Sequence, residues 1–341
     1  MPGLLAVAFG PSSEAQALAE LPRVAADAEL IELRLDAFRD PFDLSALLNA
    51  RGSTPVVVTL RPTDQGGASV LSAPERVQVL LHAAELGAEY VDLEWDAATP
   101  SALAALHGAG AKVIVSRHDF DSMPAELADG WWADLAGLAA DVVKVVGMAR
   151  DVRDCLPVVR ALRHTDRPTV AMAMGLPGLP SRILALREPS CFLTYAAADG
   201  LPGTAPGQLT LSEMRQVYHA HRIGPTTAVY GLLGPHPEPE RAAEYNAWFS
   251  SSALDAIAVP FPASARAAEI LQAYRALPVA GWHIHGEPLQ REALSALDDL
   301  DAKARAQDKV NAVVARANAL CGTWVESPRE QFEFWLSALS G

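Results

Sequence analysis

The sequence predicts an α/β protein in which a (β/α)₈ TIM barrel is followed by a small α/β domain. Eight short, β-rich apolar runs recur before residue 200, and Ala/Leu-rich segments with helical periodicity separate most of them. The runs lie at 4–9, 30–36, 55–61, 90–96, 112–120, 141–149, 168–175 and 191–198. Strand–helix alternation of this kind is typical of a closed parallel barrel.

Helices are predicted between the strands, for example at 73–87 and 152–165. A doubly wound open sheet is the alternative architecture for such alternation. That fold commonly has a glycine-rich phosphate turn after its first strand, and none follows residues 4–9. We therefore favour the barrel.

A domain boundary is predicted after the barrel. The segment IGPTTA (223–228) is a short Gly/Pro/Thr connector, and a new strand begins with the run that follows it. We divide the chain into a barrel domain at 1–224 and a second domain at 225–341. The second stretch is long enough for a small α/β unit.

Composition limits the classes of partner and location. The formal net charge is −14, which argues against nucleic acid or an anionic membrane as a partner. No apolar run is long enough to cross a membrane, and the N-terminus lacks the basic flank of a signal peptide. The cysteines Cys155, Cys191 and Cys321 show neither metal spacing nor a disulfide framework, which favours the cytoplasm. An anionic small molecule would need a local concentration of positive charge.

Polar residues collect where the predicted strands end, which is where barrel enzymes place their chemistry. The residues at these ends, all polar except Met174, are Glu32, Arg34, Asp36, Arg61, Asp92, Glu94, His118, Asp119, Lys144, Met174 and Tyr195. Glu32, Arg34 and Asp36 alternate with leucines, so all three are expected on one face of the strand. An outer polar face or an ion-pair layer inside the barrel is the structural alternative for them.

Lys144 lies in an apolar run, between two pairs of valines. Burial of an ammonium is costly, and a common response is a lowered pKa, which leaves a neutral amine that can attack a carbonyl. We therefore predict an imine-forming lysine. The alternatives are a structural lysine paired with a carboxylate, or one that extends to solvent at the strand end. His118 ends the neighbouring strand at the same barrel face and is a candidate base for proton transfer next to an imine.

These residues resemble the type I 3-dehydroquinate dehydratase family of the shikimate pathway of aromatic amino-acid biosynthesis. The resemblance covers essentially all of residues 1–222 and rests on seven ordered motifs. They are ELRLD (32–36), TLRP with GG (59–67), VDLE (91–94), SRHDF (116–120), VVKVV (142–146), MGLPGLPSR (174–182) and TAPGQLT (204–210).

The resemblance implies a hydro-lyase that needs neither a cofactor nor a metal. It implies that Lys144 forms an imine with the C3 ketone of 3-dehydroquinate, and that His118 removes the C2 proton and helps the C1 hydroxyl leave as water. Arg182 would bind the substrate carboxylate. The resemblance places further substrate contacts at Glu32, Arg34, Arg61, Met174, Thr204 and Gln208, with Gln65 and Asp92 supporting them.

Two positions depart from the family pattern. Gln65 stands where the family usually has a glutamate that polarises the histidine, so we expect a lower rate. Thr204 replaces a serine and keeps the hydroxyl.

Two rival functions remain. One is another Schiff-base barrel such as a class I aldolase, which the motifs at 174–182 and 204–210 disfavour. The other is a catalytically impaired protein that binds metabolites of the same pathway.

The second domain resembles the substrate-binding domain of shikimate dehydrogenase in the segments 230–236, 245–249, 254–262 and 300–314. This region lacks the residues on which the chemistry of that family depends. The paired serines and the lysine of that family are missing, and no G-x-G-x-x-G turn is present. From the length of this region we expect no nicotinamide-binding domain. We expect a structural or regulatory unit. His283 and His285 are two candidate metal ligands, but no third is evident in the sequence, so no metal is predicted. A homodimer is left open.

Overall fold

The computed structural model describes residues 3–124, 130–201, 203, 207–277, 279–316 and 319–339. The first sheet contains eight parallel strands in the order β7-β6-β5-β4-β3-β2-β1-β8. They are β1 (Leu4–Phe9), β2 (Leu30–Arg34), β3 (Val56–Thr59), β4 (Tyr90–Glu94), β5 (Lys112–Asp119), β6 (Val142–Met148), β7 (Thr169–Met174) and β8 (Leu193–Ala196). Each strand lies within a run that the sequence predicted.

The two ends of this sheet meet and nearly close it into a barrel. Thr169 of β7 forms an isolated parallel bridge with Cys191, just before β8. Its amide donates to Ser190 O and its carbonyl accepts from Phe192 N, each at 2.8 Å. The barrel prediction is confirmed, and the doubly wound alternative is wrong.

In the described part of the barrel, seven helices connect the strands on the outside. They are α1 (Glu14–Asp27), α2 (Leu44–Ala50), α3 (Ala73–Glu85), α4 (Pro100–Gly108), α5 (Gly130–Ala136), α6 (Cys155–Arg163) and α7 (Leu179–Leu184). The helix predicted at 152–165 begins with a 3₁₀ turn at Val152–Asp154, which the Asp151 side chain caps. Some strands are shorter than predicted because their last polar residues leave the sheet. Asp36, for example, lies in a 3₁₀ turn after β2.

Strand alternation explains how charged side chains reach the barrel interior. On β6, Val143 and Val145 pack toward the helices, whereas Val142 and Val146 belong to the apolar cluster inside the barrel. Lys144 has the same parity as the latter pair, so it points inward between them. The interior is therefore apolar at its base and charged toward the carboxyl ends of the strands.

The second unit contains a mixed sheet of six strands in the order β10-β9-β11-β13-β14-β12. The strands are β9 (Ala228–Gly234), β10 (Ala256–Pro262), β11 (Val279–Ile284), β12 (Asp299–Leu300), β13 (Ala312–Arg316) and β14 (Ala319–Thr323). The helices are α8 (Pro239–Ser251), α9 (Ala267–Ala273), α10 (Glu287–Glu292), α11 (Ala302–Gln307) and α12 (Pro328–Leu339). The predicted small α/β domain is thus present, and the boundary proposed between 224 and 225 precedes its first strand.

The second unit packs against the barrel at one side. Strand β10 contacts α7, and the buried hydroxyl of Tyr274 donates to Val152 O at 2.6 Å. At the edge of this contact, Arg153 bonds to Glu269. Within the described ranges, no helix is both long and apolar enough to span a membrane.

Candidate active site

A pocket of about 580 Å³ opens at the carboxyl ends of the barrel strands. Ten of the residues singled out in the sequence line it: Glu32, Arg34, Arg61, Gln65, His118, Lys144, Met174, Arg182, Tyr195 and Gln208. Asp92 lies directly below the pocket, where it contacts Lys144. Thr204 lies outside the described residues. The predicted site residues therefore converge on one cavity.

Lys144 stands on the floor of this pocket and is 4% exposed. Its Nζ donates to Asp92 Oδ2 at 2.8 Å, to the Tyr195 hydroxyl at 3.0 Å and to Glu32 Oε1 at 3.1 Å. Thr59 donates to the same oxygen of Glu32 at 2.8 Å. The amine is thus held by two carboxylates and a phenol.

The expectation of a lowered lysine pKa is wrong for this form of the protein. Burial on its own would lower the pKa of Lys144, but the Asp92 and Glu32 carboxylates outweigh burial and raise it. The pKa of Asp92 is lowered in turn, because Arg61 and Lys144 overcome the effect of its burial. The two carboxylates therefore favour the ammonium form of Lys144.

Both terminal nitrogens of Arg61 bind protein groups at the floor of the pocket. Its Nη2 lies 2.8 Å from Asp92 Oδ1, and its Nη1 lies 2.9 Å from Glu94 Oε1 and 2.7 Å from the Ser116 hydroxyl. Arg76 of α3 holds the other oxygen of Glu94 at 3.1 Å. These contacts make Arg61 a support for Asp92. Arg61 also lines the pocket, and its contact with substrate hydroxyls stays a prediction.

Arg34 and Asp36 form a bidentate pair at the pocket wall. Two guanidinium nitrogens lie 2.9 and 2.8 Å from the two carboxylate oxygens. Asp36 also accepts from the backbone amides of Arg61 and Ala68, both at 3.2 Å. One carboxylate therefore orients Arg34 and fixes the loop after β3.

His118 lies on β5, where its neighbour across the sheet is Val146 of β6. Burial lowers the pKa of His118 well below its usual value, and the Arg61 and Lys144 cations lower it further. In the described part of the chain, no group hydrogen-bonds to its buried Nδ1. The imidazole is therefore neutral and available to accept a proton.

Arg182 of α7 is 1% exposed and lines the same pocket. Its Nη1 lies 3.7 Å from Met172 Sδ, and none of the described residues offers a partner to its Nε or Nη2. Burial lowers the pKa of Arg182 to about 10. A buried guanidinium with free donors is suited to bind a carboxylate in bidentate fashion.

The charges of the site leave a small positive excess. The cations are Arg34, Arg61, Arg76, Lys144 and Arg182, and the carboxylates are Glu32, Asp36, Asp92 and Glu94. Five positive charges against four negative ones leave one over, and Arg182 is the cation without an ion-pair partner among them. The site thus has the local positive charge that an acidic protein needs for an anionic ligand. None of these described carboxylates belongs to a three-ligand group that could hold a metal ion.

Several residues at this site were missed or given too small a role. Tyr195 was seen only as a strand end, and Glu94 and Ser116 join the network through contacts with Arg61. The Phe120 ring stacks on His118 with 5.9 Å between ring centroids. Gly66 has a φ of +73°, a conformation that favours glycine, and a Cβ there would also meet the Phe120 ring at 2.1 Å. The alternation of side chains along β8 could have indicated that Tyr195 points into the barrel and belongs to the site.

The model of the family described as type I 3-dehydroquinase matches residues 5–225. The chain is 32% identical over 295 residues to the bifunctional 3-dehydroquinate dehydratase/shikimate dehydrogenase of Arabidopsis thaliana, which covers 85% of this chain and 48% of the relative. The chain thus spans about half the length of that relative. It is 32% identical over 226 residues to the 3-dehydroquinate dehydratase of Desulfotalea psychrophila, which covers 63% of this chain and 96% of that protein.

A solved structure shares the arrangement of both units. The dehydroquinate dehydratase and shikimate dehydrogenase from S. pombe AroM matches with a TM-score of 0.54 at 24% identity. The match covers 95% of this chain and 64% of the S. pombe chain. At this identity the match shows the fold alone: a dehydroquinase-type barrel followed by a unit like the one seen here.

Proposed function

Because the chain belongs to the type I 3-dehydroquinase family, we propose that it converts 3-dehydroquinate to 3-dehydroshikimate and water through an imine on Lys144. One observation carries the proposal. A buried lysine, a neutral histidine and an arginine with free donors line the same pocket. These groups match the three needs of the reaction: a carbonyl nucleophile, a base and an anchor for the carboxylate.

The first interaction proposed for the substrate is between its carboxylate and a buried arginine. The carboxylate of 3-dehydroquinate would bind the donors of Arg182 that have no partner among the described residues. The ring hydroxyls would then face Arg34, Gln208 and Glu32, which line the pocket around Lys144. Met172 and Met174 supply apolar surface against the ring. In this orientation the substrate ketone would face the Lys144 amine.

Lys144 must lose its proton before it attacks the ketone. Entry of the substrate and displacement of solvent reduce the stability of the ammonium, and the neutral imidazole of His118 is a base in the same pocket. The amine then adds to the carbonyl. The imidazolium of His118 returns its proton to the departing hydroxyl, so that water leaves, a protonated imine remains and His118 is neutral again. The imine nitrogen keeps a positive charge between Asp92 and Glu32, so the two carboxylates that held the ammonium stabilise the iminium as well.

The iminium withdraws electrons and acidifies the C2–H bond beside it. His118 takes that proton, the electron pair forms the C1–C2 double bond, and the C1 hydroxyl leaves with a proton returned by the imidazolium. Hydrolysis of the iminium restores Lys144 and the ketone. One water is lost overall, in agreement with a hydro-lyase that needs only side-chain chemistry.

Borohydride trapping tests the imine. Full-length protein is mixed with 3-dehydroquinate, reduced with sodium borohydride and digested, and we expect a mass increase on the peptide that contains Lys144. Lys144→Ala should show neither the adduct nor turnover, whereas Lys112→Ala, at an exposed lysine of the adjacent strand, should show both. Turnover by Lys144→Ala near the rate of the unmodified protein would overturn the mechanism.

A second candidate function is metabolite binding without turnover. The raised pKa of Lys144 and the replacement of the family's glutamate by Gln65 favour it. The same experiment separates the two functions, because a binding protein would retain 3-dehydroquinate without forming an adduct or releasing product.

For the second unit we propose a structural or regulatory role rather than a dehydrogenase. The segment after β9 reads PHPEPER (235–241) and lacks the serine pair of the related domain, and no lysine occurs between Lys144 and Lys303. Shikimate oxidation with a nicotinamide cofactor should be undetectable with the purified chain. A cytoplasmic location and a homodimer stay predictions, which fractionation and light scattering can test.

A further inference from the structure

Three side chains with metal-ligating atoms meet at one edge of the second sheet. Strands β9 and β11 are parallel neighbours, with His283 opposite Leu232. Their carboxyl ends therefore lie side by side. His285 directly follows β11, and Glu238 ends the loop between β9 and α8. This fold brings the histidine pair, which the sequence left without a third ligand, next to a carboxylate from a distant segment.

The three candidate ligand atoms all lie within 4.8 Å of one another. Nδ1 of His285 is 3.7 Å from Oε1 of Glu238. Two ligands of a tetrahedral zinc ion, with bonds of about 2.0–2.1 Å, lie roughly 3.4 Å apart. Small side-chain rotations would therefore bring the three atoms to coordination distance.

Two side chains contact the Nδ1 side of the His283 ring and fix its orientation. Its Nδ1 lies 3.1 Å from the side-chain amide of Gln331 and 3.4 Å from the Tyr245 hydroxyl, which leaves Nε2 for a ligand. Support of one ring nitrogen while the other binds the ion is the usual arrangement of metal-ligating histidines. With its oxygen toward the ring, Gln331 accepts from Nδ1–H, and Nε2 then has a free lone pair. Turned over, the amide donates to Nδ1 and to Asn311 O and accepts from Trp335 at 2.9 Å, which satisfies more of its hydrogen bonds. Metal binding through Nε2 therefore has to shift Gln331 from this orientation to the first one.

The surrounding charges permit a cation. Arg241 is a positive group near His283, and its Nη1 is paired with Glu244 at 2.8 Å, which offsets its repulsion. The His285 side chain is 58% exposed, so solvent can reach the cluster and complete the coordination of an ion. Two imidazoles and one carboxylate with an open position form a ligand set that first-row divalent metals use.

We propose that Glu238, His283 and His285 form a binding site for a divalent first-row transition-metal ion, with Zn²⁺ as the best-fitting member. The ion would link the loop after β9 to the end of β11 and stabilise this edge of the sheet. It would act independently of the barrel pocket, since none of these three residues lines that pocket.

The test titrates Zn²⁺ alone into chelator-treated, full-length protein, with calorimetry and with metal analysis after dialysis. We expect one ion per chain, and affinity at least tenfold weaker in His285→Ala and Glu238→Gln. His236→Ala is the matched control, because this exposed histidine of the same loop lies outside the cluster, and its affinity should be unchanged. Arg241→Gln should bind Zn²⁺ more tightly, since it removes a positive charge near the cluster and leaves the Glu244 carboxylate without this partner.

Thermal unfolding gives a second readout. Zn²⁺ should raise the Tm of the unmodified chain and of His236→Ala, but not that of His285→Ala, since only a ligand that prefers the folded state stabilises it. Circular dichroism without metal checks that each variant is folded. Absence of saturable binding in the unmodified chain would overturn the proposal, as would equal affinity in all four variants. Loss of dehydratase activity has no bearing on this outcome.

Discussion

The ammonium of Lys144 lies 2.8 Å from Oδ2 of Asp92, although both side chains are almost wholly buried. The other oxygen of Asp92 lies 2.8 Å from Arg61 and accepts from Ser116 at 2.6 Å. Asp92 thus joins the candidate nucleophile to the cation beneath it. Because a buried carboxylate between two cations is stable only while all three are present, Asp92 is a position at which folding and chemistry are coupled.

Asp92→Asn should destabilise the protein by about 3–5 kcal/mol, the usual cost of removing one partner from a buried ion pair. It should also reduce turnover strongly, since the iminium loses the carboxylate next to it. Urea unfolding and steady-state kinetics measure the two effects. Asp64→Asn, at an exposed aspartate on the loop after β3, is the control and should change neither quantity. Equal stability of the two variants would contradict this role of Asp92.

The same substitution predicts a pH dependence. The folded protein holds the pKa of Asp92 below its usual value, so this carboxylate stabilises the fold above the unfolded pKa of about 3.9. That contribution is lost as the pH falls through this region toward the folded pKa. The stability gap between the unmodified chain and Asp92→Asn should therefore be constant near neutral pH and narrow below about pH 4. A gap that widens on acidification would refute the assignment.

Replacement of Arg182 should weaken substrate binding without loss of stability, whereas Asp92→Asn should lower both stability and turnover. Its buried charge has no ion-pair partner in the described residues, and burial lowers its pKa from 12.5 to about 10, which corresponds to a cost of up to about 3 kcal/mol. Arg182→Met should therefore leave the unfolding free energy unchanged or raise it. It should also raise KM roughly tenfold or more, because charge-assisted hydrogen bonds to the substrate are lost.

Arg76→Met is the matched control for Arg182→Met. Arg76 is also a buried arginine, but it is bound to Glu94 at 3.1 Å and to Leu71 O at 3.0 Å, so its loss should lower stability. Urea unfolding compares the two variants directly. If Arg182→Met were the less stable of the pair, Arg182 would be a structural residue.

The barrel and the positions of most site residues could be predicted because both follow from short-range patterns. Strand parity places Lys144 inside the barrel, and strand ends place His118 beside it. The charge state of Lys144 could not be predicted in this way. It depends on Asp92 and Glu32, which reach the amine from two other strands. The alternative of a lysine paired with carboxylates was on this point the accurate one.

Contacts between segments that are far apart in the chain could not be predicted from the sequence either. Arg76 binds Glu94 from a helix whose periodicity shows only that its residues are helical. Glu238 reaches the two histidines of the second unit only because β9 and β11 are neighbours in a mixed sheet. Strand order is set by packing of the whole unit, and spacing along the chain does not contain it.

Substitution of Gln65 tests which charges control the pKa of His118. Burial and nearby cations keep the pKa of His118 well below 6.5, so the acidic limb of kcat/KM should lie below that value. Gln65→Glu would add a carboxylate to the same pocket and stabilise the imidazolium. We expect the limb to move to higher pH and kcat at neutral pH to rise. Gln208→Glu, elsewhere on the pocket wall, is the comparison, and an equal shift there would show that only general pocket charge matters.

The contact between the two units can be tested at Tyr274. Its buried hydroxyl donates to Val152 O at 2.6 Å, at the turn that precedes α6 of the barrel. Tyr274→Phe keeps the ring against Phe261 and Trp282 but leaves a buried carbonyl without this donor, which costs about 1–3 kcal/mol. Tyr90→Phe, which keeps its ring contact with Phe192 within the barrel, is the control and should cost less. Urea unfolding followed by tryptophan fluorescence measures both. If the units unfold together, the whole transition should move to lower urea in Tyr274→Phe, whereas an unchanged midpoint would mean that this contact does not stabilise the barrel.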